Sequence, residues 1–221
     1  MTQTPRRYAQ VAGILYLITH VTSVTAVSAY GAGFVAGGVT LEFALAIGCL
    51  GTGVILWVLL RSFGPVRATS FAMLRAVEAA VIIAGALPLL ATQWLAGVGD
   101  WSIEFASAMH TASFLLGQGL VISVNTVVLG WLLWTSHAVS RVLAGLGVVG
   151  GVVVLASNLA QLWGLIPLNG LVAAIAAVPI FAFEVWFAIY LIAYGLRGVT
   201  DTSRSMRPPA RVDDSKSFLS E

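Results

Sequence analysis

The sequence predicts an all-α polytopic membrane protein, built as a bundle of six transmembrane helices with both termini in the cytoplasm. The first observation behind this prediction is the composition, which is 59% hydrophobic and only 9% charged over 221 residues. Soluble domains are nearer about one quarter charged, so this chain has too few polar side chains to cover a surface in water. The other two observations are the length of the apolar runs and the distribution of the arginines.

Six apolar stretches are predicted to span the membrane, because a helix needs about 20 apolar residues to cross the hydrocarbon core. The fourth stretch is longer than the others, which favours a tilted helix or one that begins outside the bilayer. The stretches show no alternation of polar and apolar residues, so a membrane β-barrel is not predicted. The predicted spans are residues 9–29, 41–61, 69–91, 105–134, 142–166 and 172–195.

The basic residues outside the spans all fall in segments that a six-span topology places on one side of the membrane. The opposite loops carry Asp100 and Glu104 and no lysine or arginine. Because basic residues favour the cytoplasmic side, both termini are predicted to be cytoplasmic, with the protein in the plasma (inner) membrane. The basic residues on this side are Arg6, Arg7, Arg61, Arg67, Arg141, Arg197, Arg204, Arg207, Arg211 and Lys216.

The composition changes near residue 198, and this change divides the chain into a transmembrane domain, residues 1–197, and a tail, residues 198–221. The tail carries four basic and four acidic residues together with two prolines and several serines. Such a composition cannot bury enough apolar surface to fold, so the tail is predicted to be disordered and cytoplasmic.

Three ionisable side chains lie deep in the predicted spans, where a charge is costly unless a partner or a cavity receives it. Arg75 and Glu78 are three residues apart on one face of the third span, close enough to form an ion pair. Glu184 lies about 20 Å from Arg197 along the sixth span and has no basic neighbour in its own helix. Because Arg75 is the one basic residue within the spans, we predict that it bridges Glu78 and Glu184.

Further polar side chains are predicted to face the interior of the bundle. Four of them, between positions 107 and 125 of the fourth span, fall within an arc of about 80° at 100° per residue. Such a stripe faces protein or water, so it indicates either interhelical hydrogen bonds or the wall of a cavity. The residues predicted to face the interior are His20, Ser107, His110, Gln118, Asn125, Asn158 and Gln161.

The histidines within the spans raise the question of a metal or a haem. The depths of His20 and His110 are compatible with two axial ligands, or with a site that includes Glu42, but no motif such as H-E-x-x-H surrounds them. We therefore predict no metal and no cofactor, and keep a haem or metal held by these histidines as the lesser alternative. The single cysteine, Cys49, excludes an internal disulfide, and no basic patch indicates a nucleic-acid partner.

Small residues and a proline predict how the helices pack. Gly147 and Gly151 are four residues apart and favour a close approach between the fifth helix and a neighbour. Pro179 lies five residues before Glu184 and removes a backbone hydrogen bond there. An interrupted helix beside a buried glutamate is typical of transporter sites near the middle of the membrane.

Three segments resemble the bacterial membrane family designated domain of unknown function 4386. They are LRAVEAAVIIAG, WLLWTSHAVSRVLAGLGVVGGVVVLASNLAQLWG and VPIFAFEVWFAIYLIAYGLRG. The family carries an R-x-x-E pair in its third span, a loop like SRVLAGLG before its fifth, and a P-x-x-x-x-E pattern in its sixth. The matching positions are Arg75 with Glu78, the Arg141 region, and Pro179 with Glu184. The resemblance extends over residues 6–198 and implies six spans and the same three charges, but no established activity.

The leading functional hypothesis is the binding or translocation of a small solute or ion through the Arg75–Glu78–Glu184 network, with a protonatable glutamate as the coupling group. Since 221 residues is short for a transporter, a homodimer is expected, embedded in the lipid bilayer. One alternative is an intramembrane enzyme that acts on lipid or quinone, with a glutamate and a histidine as acid and base. The other is a non-catalytic accessory or assembly protein. A non-enzymatic role is favoured.

The predicted topology is tested by labelling cysteines from one side of the membrane. In a background that carries Cys49→Ala, a membrane-impermeant maleimide should label Asp100→Cys in intact cells. Ser205→Cys should be labelled only after lysis, because the tail is expected to be cytoplasmic. Labelling of position 100 only after lysis would contradict this orientation.

Overall fold

The six predicted spans are confirmed as six long apolar helices. The computed structural model describes residues 5–94 and 99–199, and within these ranges it contains helices and no strand. All six helices are long and apolar enough to cross a membrane. The predicted tail, apart from its first two residues, lies outside the described residues. The helices are Pro5–Gly31, Val35–Leu60, Pro65–Thr92, the fourth with its three stretches Asp100–Phe114, Leu115–Val121 and Ile122–Ser136, then Arg141–Leu162 and Leu171–Ala193.

Local sequence sets several of the helix ends. Pro65 occupies the first turn of the third helix, where its missing N–H costs no hydrogen bond. The side chain of Ser140 accepts a hydrogen bond from the backbone N–H of Leu143 at 3.3 Å and so caps the fifth helix. His137 has a φ of 53°, a left-handed conformation that ends the fourth helix.

The helices form a closed ring. Each helix packs against the next one in sequence, and the first helix also packs against the sixth. The described chain ends, Pro5 and Val199, line the same surface depression, so they lie on one face of the ring. We call this face the terminal face. The opposite face, which carries the connections that follow Gly31, Thr92 and Leu162, is the distal face.

The half of the ring nearer the terminal face has an apolar core. Its side chains come from all six helices, and they fill the space between the helices. Outward-facing residues such as Val21 and Val54 are also apolar, as expected of side chains that contact lipid. The largest core side chains are Tyr16, Leu56, Leu59, Leu60, Phe71, Leu129, Leu132, Leu133, Leu143, Phe183, Phe187 and Leu191.

The predicted close approach of the fifth helix is present on two sides. A Cβ atom on Gly151 would lie 2.8 Å from the carbonyl oxygen of Ser123 in the fourth helix. A Cβ atom on Gly150 would lie 2.9 Å from the backbone nitrogen of Ile180 in the sixth helix. Such short distances are open only to glycine, so these positions let the fifth helix contact two neighbouring backbones.

A π-helical stretch, Leu115–Val121, interrupts the fourth helix near its middle. Gly117 and Gly119 within it are buried, and a Cβ atom on Gly119 would lie 2.9 Å from Oδ1 of Asn158 in the fifth helix. The hydroxyl of Ser123 donates a hydrogen bond to the carbonyl oxygen of Gly119 at 2.5 Å. π-helical turns are frequent at functional sites, and this one borders the cavities described below.

Because the fifth helix is tightly packed, we predict that adding a single methyl group at one of its glycines lowers the stability of the protein. We expect Gly150→Ala to destabilise the purified protein by about 1–3 kcal/mol, because the new Cβ would overlap backbone atoms that cannot rotate away. The control is Gly31→Ala, since a Cβ there meets no atom within 4 Å. Thermal unfolding in detergent measures both, and equal midpoints for the two variants would contradict the close approach.

Candidate functional site

The charged centre of the bundle is the pair Arg75–Glu78, which the spacing in the sequence correctly predicted. Both residues lie in the third helix and are 2% exposed. Nη1 of Arg75 donates to Oε2 of Glu78 at 2.9 Å. Nε and Nη2 of Arg75 donate to Oγ1 of Thr52 in the second helix, at 3.2 Å and 3.0 Å. All three guanidinium nitrogens therefore have an acceptor.

Residues from three other helices surround this pair. The ring of Tyr16, from the first helix, lies 5.3 Å from the guanidinium carbon. Nδ2 of Asn125, from the fourth helix, donates to Oε2 of Glu78 at 3.4 Å, and Sγ of Cys49, from the second, donates to Oε1 at 3.7 Å. The predicted inward orientation of Asn125 is thus observed.

The predicted bridge from Arg75 to Glu184 is not formed. Instead, Oε2 of Glu184 lies 3.5 Å from Nε2 of His20 in the first helix, and this is the one ion pair recorded for Glu184 among the described residues. The guanidinium of Arg75 makes its three hydrogen bonds to Glu78 and Thr52, on the third and second helices, and none to Glu184. The spacing of residues along one helix predicts a partner in the same helix well. It does not predict which side chain of another helix will be the partner.

Glu184 is buried and poorly satisfied. The residue is 7% exposed, yet within residues 5–94 and 99–199 no side chain or backbone group donates a hydrogen bond to its carboxylate. Nε2 of His20 likewise has no hydrogen-bond partner in this part of the chain, and the imidazole stacks on the ring of Phe181 with centroids 5.1 Å apart. Nε2 of His20 and Oε2 of Glu184 therefore lie close to each other without forming a hydrogen bond.

A cavity of about 370 Å³ lies beside these two residues, in the half of the ring nearer the distal face. Its wall is built from the first, second, third, fourth and sixth helices. Gln118 of the π-helical stretch is part of the wall and accepts a hydrogen bond from the hydroxyl of Ser23 at 2.9 Å. The lining includes Thr19, His20, Ser23, Cys49, Arg75, Glu78, Phe114, Gln118, Phe181 and Glu184. The ionisable residues thus line a space and are not sealed in a dry core.

A second cavity of about 270 Å³ adjoins the first between the fourth, fifth and sixth helices. The two share Phe114, Gln118 and Ala177 in their walls. Asn158 and Gln161 line it, as their predicted inward orientation requires, and Nε2 of Gln161 donates to Oδ1 of Asn158 at 3.2 Å. The second cavity therefore offers amide groups next to the charged first cavity.

A separate cluster nearer the distal face joins three helices through Glu42. Oε1 of Glu42 lies 2.7 Å from Nε2 of His110 in the fourth helix, and the hydroxyl of Tyr30 donates to Oε2 at 2.8 Å. The sequence pointed to His110 as an interior residue but did not identify this cluster. The signal was present, because Glu42 is an ionisable residue inside an apolar span.

The other predictions for the site have mixed outcomes. The two histidines of the haem or metal alternative contact different carboxylates, Glu184 and Glu42. Among the described residues, no group of three or more His, Cys, Asp and Glu side chains could hold a metal ion. The prediction that Ser107 faces the interior is wrong, since it is exposed. Ser107 lies three residues before His110, about 60° away around the helix axis, and this is enough to turn it away from the interior that His110 faces.

The fold and the site define a multi-pass membrane protein whose interior contains buried ion pairs around a cavity. The chain belongs to the family described as Domain of unknown function (DUF4386), which matches residues 11–195. This match confirms the resemblance carried by the third, fifth and sixth helices. No curated protein and no solved structure matches the chain.

The contacts of Arg75 predict that Thr52 stabilises the protein through its hydroxyl. We expect Thr52→Val, which keeps the shape, to lower the free energy of unfolding by about 1–3 kcal/mol, because two buried guanidinium N–H groups lose their acceptor. Thr40→Val is the control, since the hydroxyl of Thr40 is exposed and bonds only within its own helix. Chemical denaturation of the purified variants measures the difference. A Thr52→Val variant as stable as the control would contradict the role of this hydroxyl.

Proposed function

We propose that the protein binds a small solute or ion in the cavity at Glu184 and moves it across the membrane, with Glu184 as the protonatable coupling group. The observation that supports this is a buried carboxylate that faces a cavity of about 370 Å³ and accepts no hydrogen bond in the described part of the chain. Ionisable residues at membrane depth are costly and commonly mark a substrate or proton pathway. An assembly role would leave such a carboxylate fully paired in a dry interior.

Glu184 suits a coupling role because its carboxylate can hold either a proton or a ligand. The titratable and charged groups that surround it come from three other helices: Tyr16 and His20 from the first, Cys49 from the second, and Arg75 and Glu78 from the third. Arg75 is already bound to Glu78 and Thr52. A change of charge at Glu184 therefore changes the binding free energy of a ligand in the cavity. Ligand binding and protonation of Glu184 are linked in this way.

The apolar core on the terminal side of the cavity would close the pathway in the conformation described. Movement of a solute then requires the helices around Phe183 and Phe187 to separate, while the distal half closes. Pro179, within the sixth helix and one turn from Glu184, is a site where such a change costs few backbone hydrogen bonds. We further propose a plasma-membrane location with the terminal face in the cytoplasm, from the distribution of the arginines.

An intramembrane enzyme is the second candidate, because Nε2 of His20 lies 3.5 Å from Oε2 of Glu184 and such a pair can exchange protons with a substrate. Phe181, which stacks on His20, is 54% exposed on the outer surface of the ring, so the pair lies near lipid. Conversion of added lipid or quinone by the wild type, followed by mass spectrometry, would favour this candidate. Binding without conversion favours transport.

The role of Glu184 predicts a pH-dependent response that one substitution removes. Purified wild type and Glu184→Gln are compared by thermal unfolding with a panel of lipids and metabolites between pH 5 and pH 8. We expect stabilising ligands of the wild type to act differently at the two ends of this range, because protonation changes the charge of the carboxylate. Glu184→Gln should lose this pH dependence.

Glu104→Gln is the matched control, because Glu104 is an exposed glutamate of the fourth helix and lines neither cavity. It should respond to ligands and pH as the wild type does. If Glu184→Gln also responds as the wild type does, Glu184 is not the coupling group and the proposed function fails.

A further inference from the structure

We propose that the ligand of this site is a small organic cation, an ammonium compound whose N–H groups donate to the carboxylate of Glu184. This inference rests on the proposed function and assigns a substrate class to the same cavity. Three observations support it: the balance of charge in the cavity, the geometry of the histidine–glutamate pair, and the chemistry of the walls.

The charges that line the cavity do not cancel. Arg75 and Glu78 are bound to each other at 2.9 Å, so their charges compensate within one ion pair. When it is ionised, Glu184 contributes a negative charge, and no arginine or lysine among the cavity-lining residues is left to balance it. A buried carboxylate without compensation is costly, and a ligand that brings a positive charge removes this cost.

The histidine–glutamate pairs in the described part of the chain differ in how far their carboxylates are satisfied. In the distal cluster, Nε2 of His110 lies 2.7 Å from Oε1 of Glu42, the length of a charge-assisted hydrogen bond. At the cavity, Nε2 of His20 lies 3.5 Å from Oε2 of Glu184 and makes no hydrogen bond with any described residue. The carboxylate of Glu184 therefore keeps acceptor positions free on the cavity side, where the N–H groups of an ammonium compound can donate to it.

The walls favour an organic cation over a bare metal ion. Phe114 and Phe181 place two aromatic rings on the cavity, and aromatic surfaces bind the apolar body of an amine and attract its charge. The second cavity, which shares Gln118 and Ala177 of its wall with the first, is lined by the amides of Asn158 and Gln161. The geometry therefore points to an amine with an apolar or aromatic body.

The first test compares three probes of similar shape and different charge on the full-length wild type in nanodiscs. The probes are 2-phenylethylamine, 2-phenylethanol and 3-phenylpropanoate, and calorimetry at pH 8 with empty nanodiscs as the blank measures binding. We expect saturable binding of the amine at least about tenfold tighter than that of the alcohol or the carboxylate. Tetramethylammonium, which has no N–H donor, should bind more weakly than the amine, and so should sodium. Equal or tighter binding of the neutral or anionic probe overturns the proposal.

The second test places the amine at Glu184. Its affinity should fall at least about tenfold in Glu184→Gln and stay unchanged in Glu104→Gln. If Glu184→Gln does not fold, Glu184→Asp, which draws the carboxylate back by one methylene group, should also weaken binding. In the wild type the affinity should fall from pH 8 to pH 5, because protons on Glu184 and on His20 both oppose a cation. An affinity that stays constant in the variants and across this pH range overturns the proposal.

The third test separates failure of the substrate class from failure of the proposed function. Ala177→Phe adds a ring at the junction of the two cavities, whereas Ala182→Phe adds one on the exposed surface of the same helix. Loss of amine binding in Ala177→Phe alone places the ligand in the cavity. If a neutral or anionic probe behaves this way and the amine does not, the cavity binds a solute but the assigned class is wrong. If Ala177→Phe changes no binding, the proposed function fails as well.

Discussion

The structure depends on satisfying one guanidinium charge inside a bundle that is otherwise built for lipid. The free energy needed to bury an unpaired charge in a nonpolar interior is far larger than the stabilisation from one apolar contact. Arg75 therefore needs partners on several sides. Glu78 is supplied by its own helix, but Thr52 and Tyr16 come from the second and first helices, and Asn125 of the fourth binds Glu78. The relative positions of four helices are therefore tied to one ion pair.

This constraint divides the ring into two halves with different contents. On the terminal side, aromatic and leucine side chains from every helix fill the interior and exclude water. On the distal side, the interior holds two adjoining cavities with two carboxylates, one histidine and several amides in their walls. Arg75 and Glu78 lie at the boundary. A bundle filled throughout with apolar side chains would be as easy to insert into a membrane, so the polar half is better explained by function than by stability.

The two histidine–glutamate pairs show how one pair of residue types serves two purposes. Glu42 is held by His110 and by Tyr30, so both of its oxygens have short contacts and the cluster links three helices near the distal face. Glu184 has only the long contact to His20, beside an open space. A satisfied carboxylate holds helices together, and an unsatisfied one beside a cavity is available to a ligand.

The sequence by itself determined the six spans and the Arg75–Glu78 pair, because the length of an apolar run and a spacing of three residues are local properties of a helix. It also indicated that His110 faces the interior. The partner of Glu184 was decided only by the tertiary structure, which brings His20 to it from more than 160 residues away along the chain. Which side chains of different helices meet depends on how the helices are rotated and packed. That rotation is set together by the glycine contacts, by the π-helical stretch and by the hydrogen bonds that Arg75 makes with its partners.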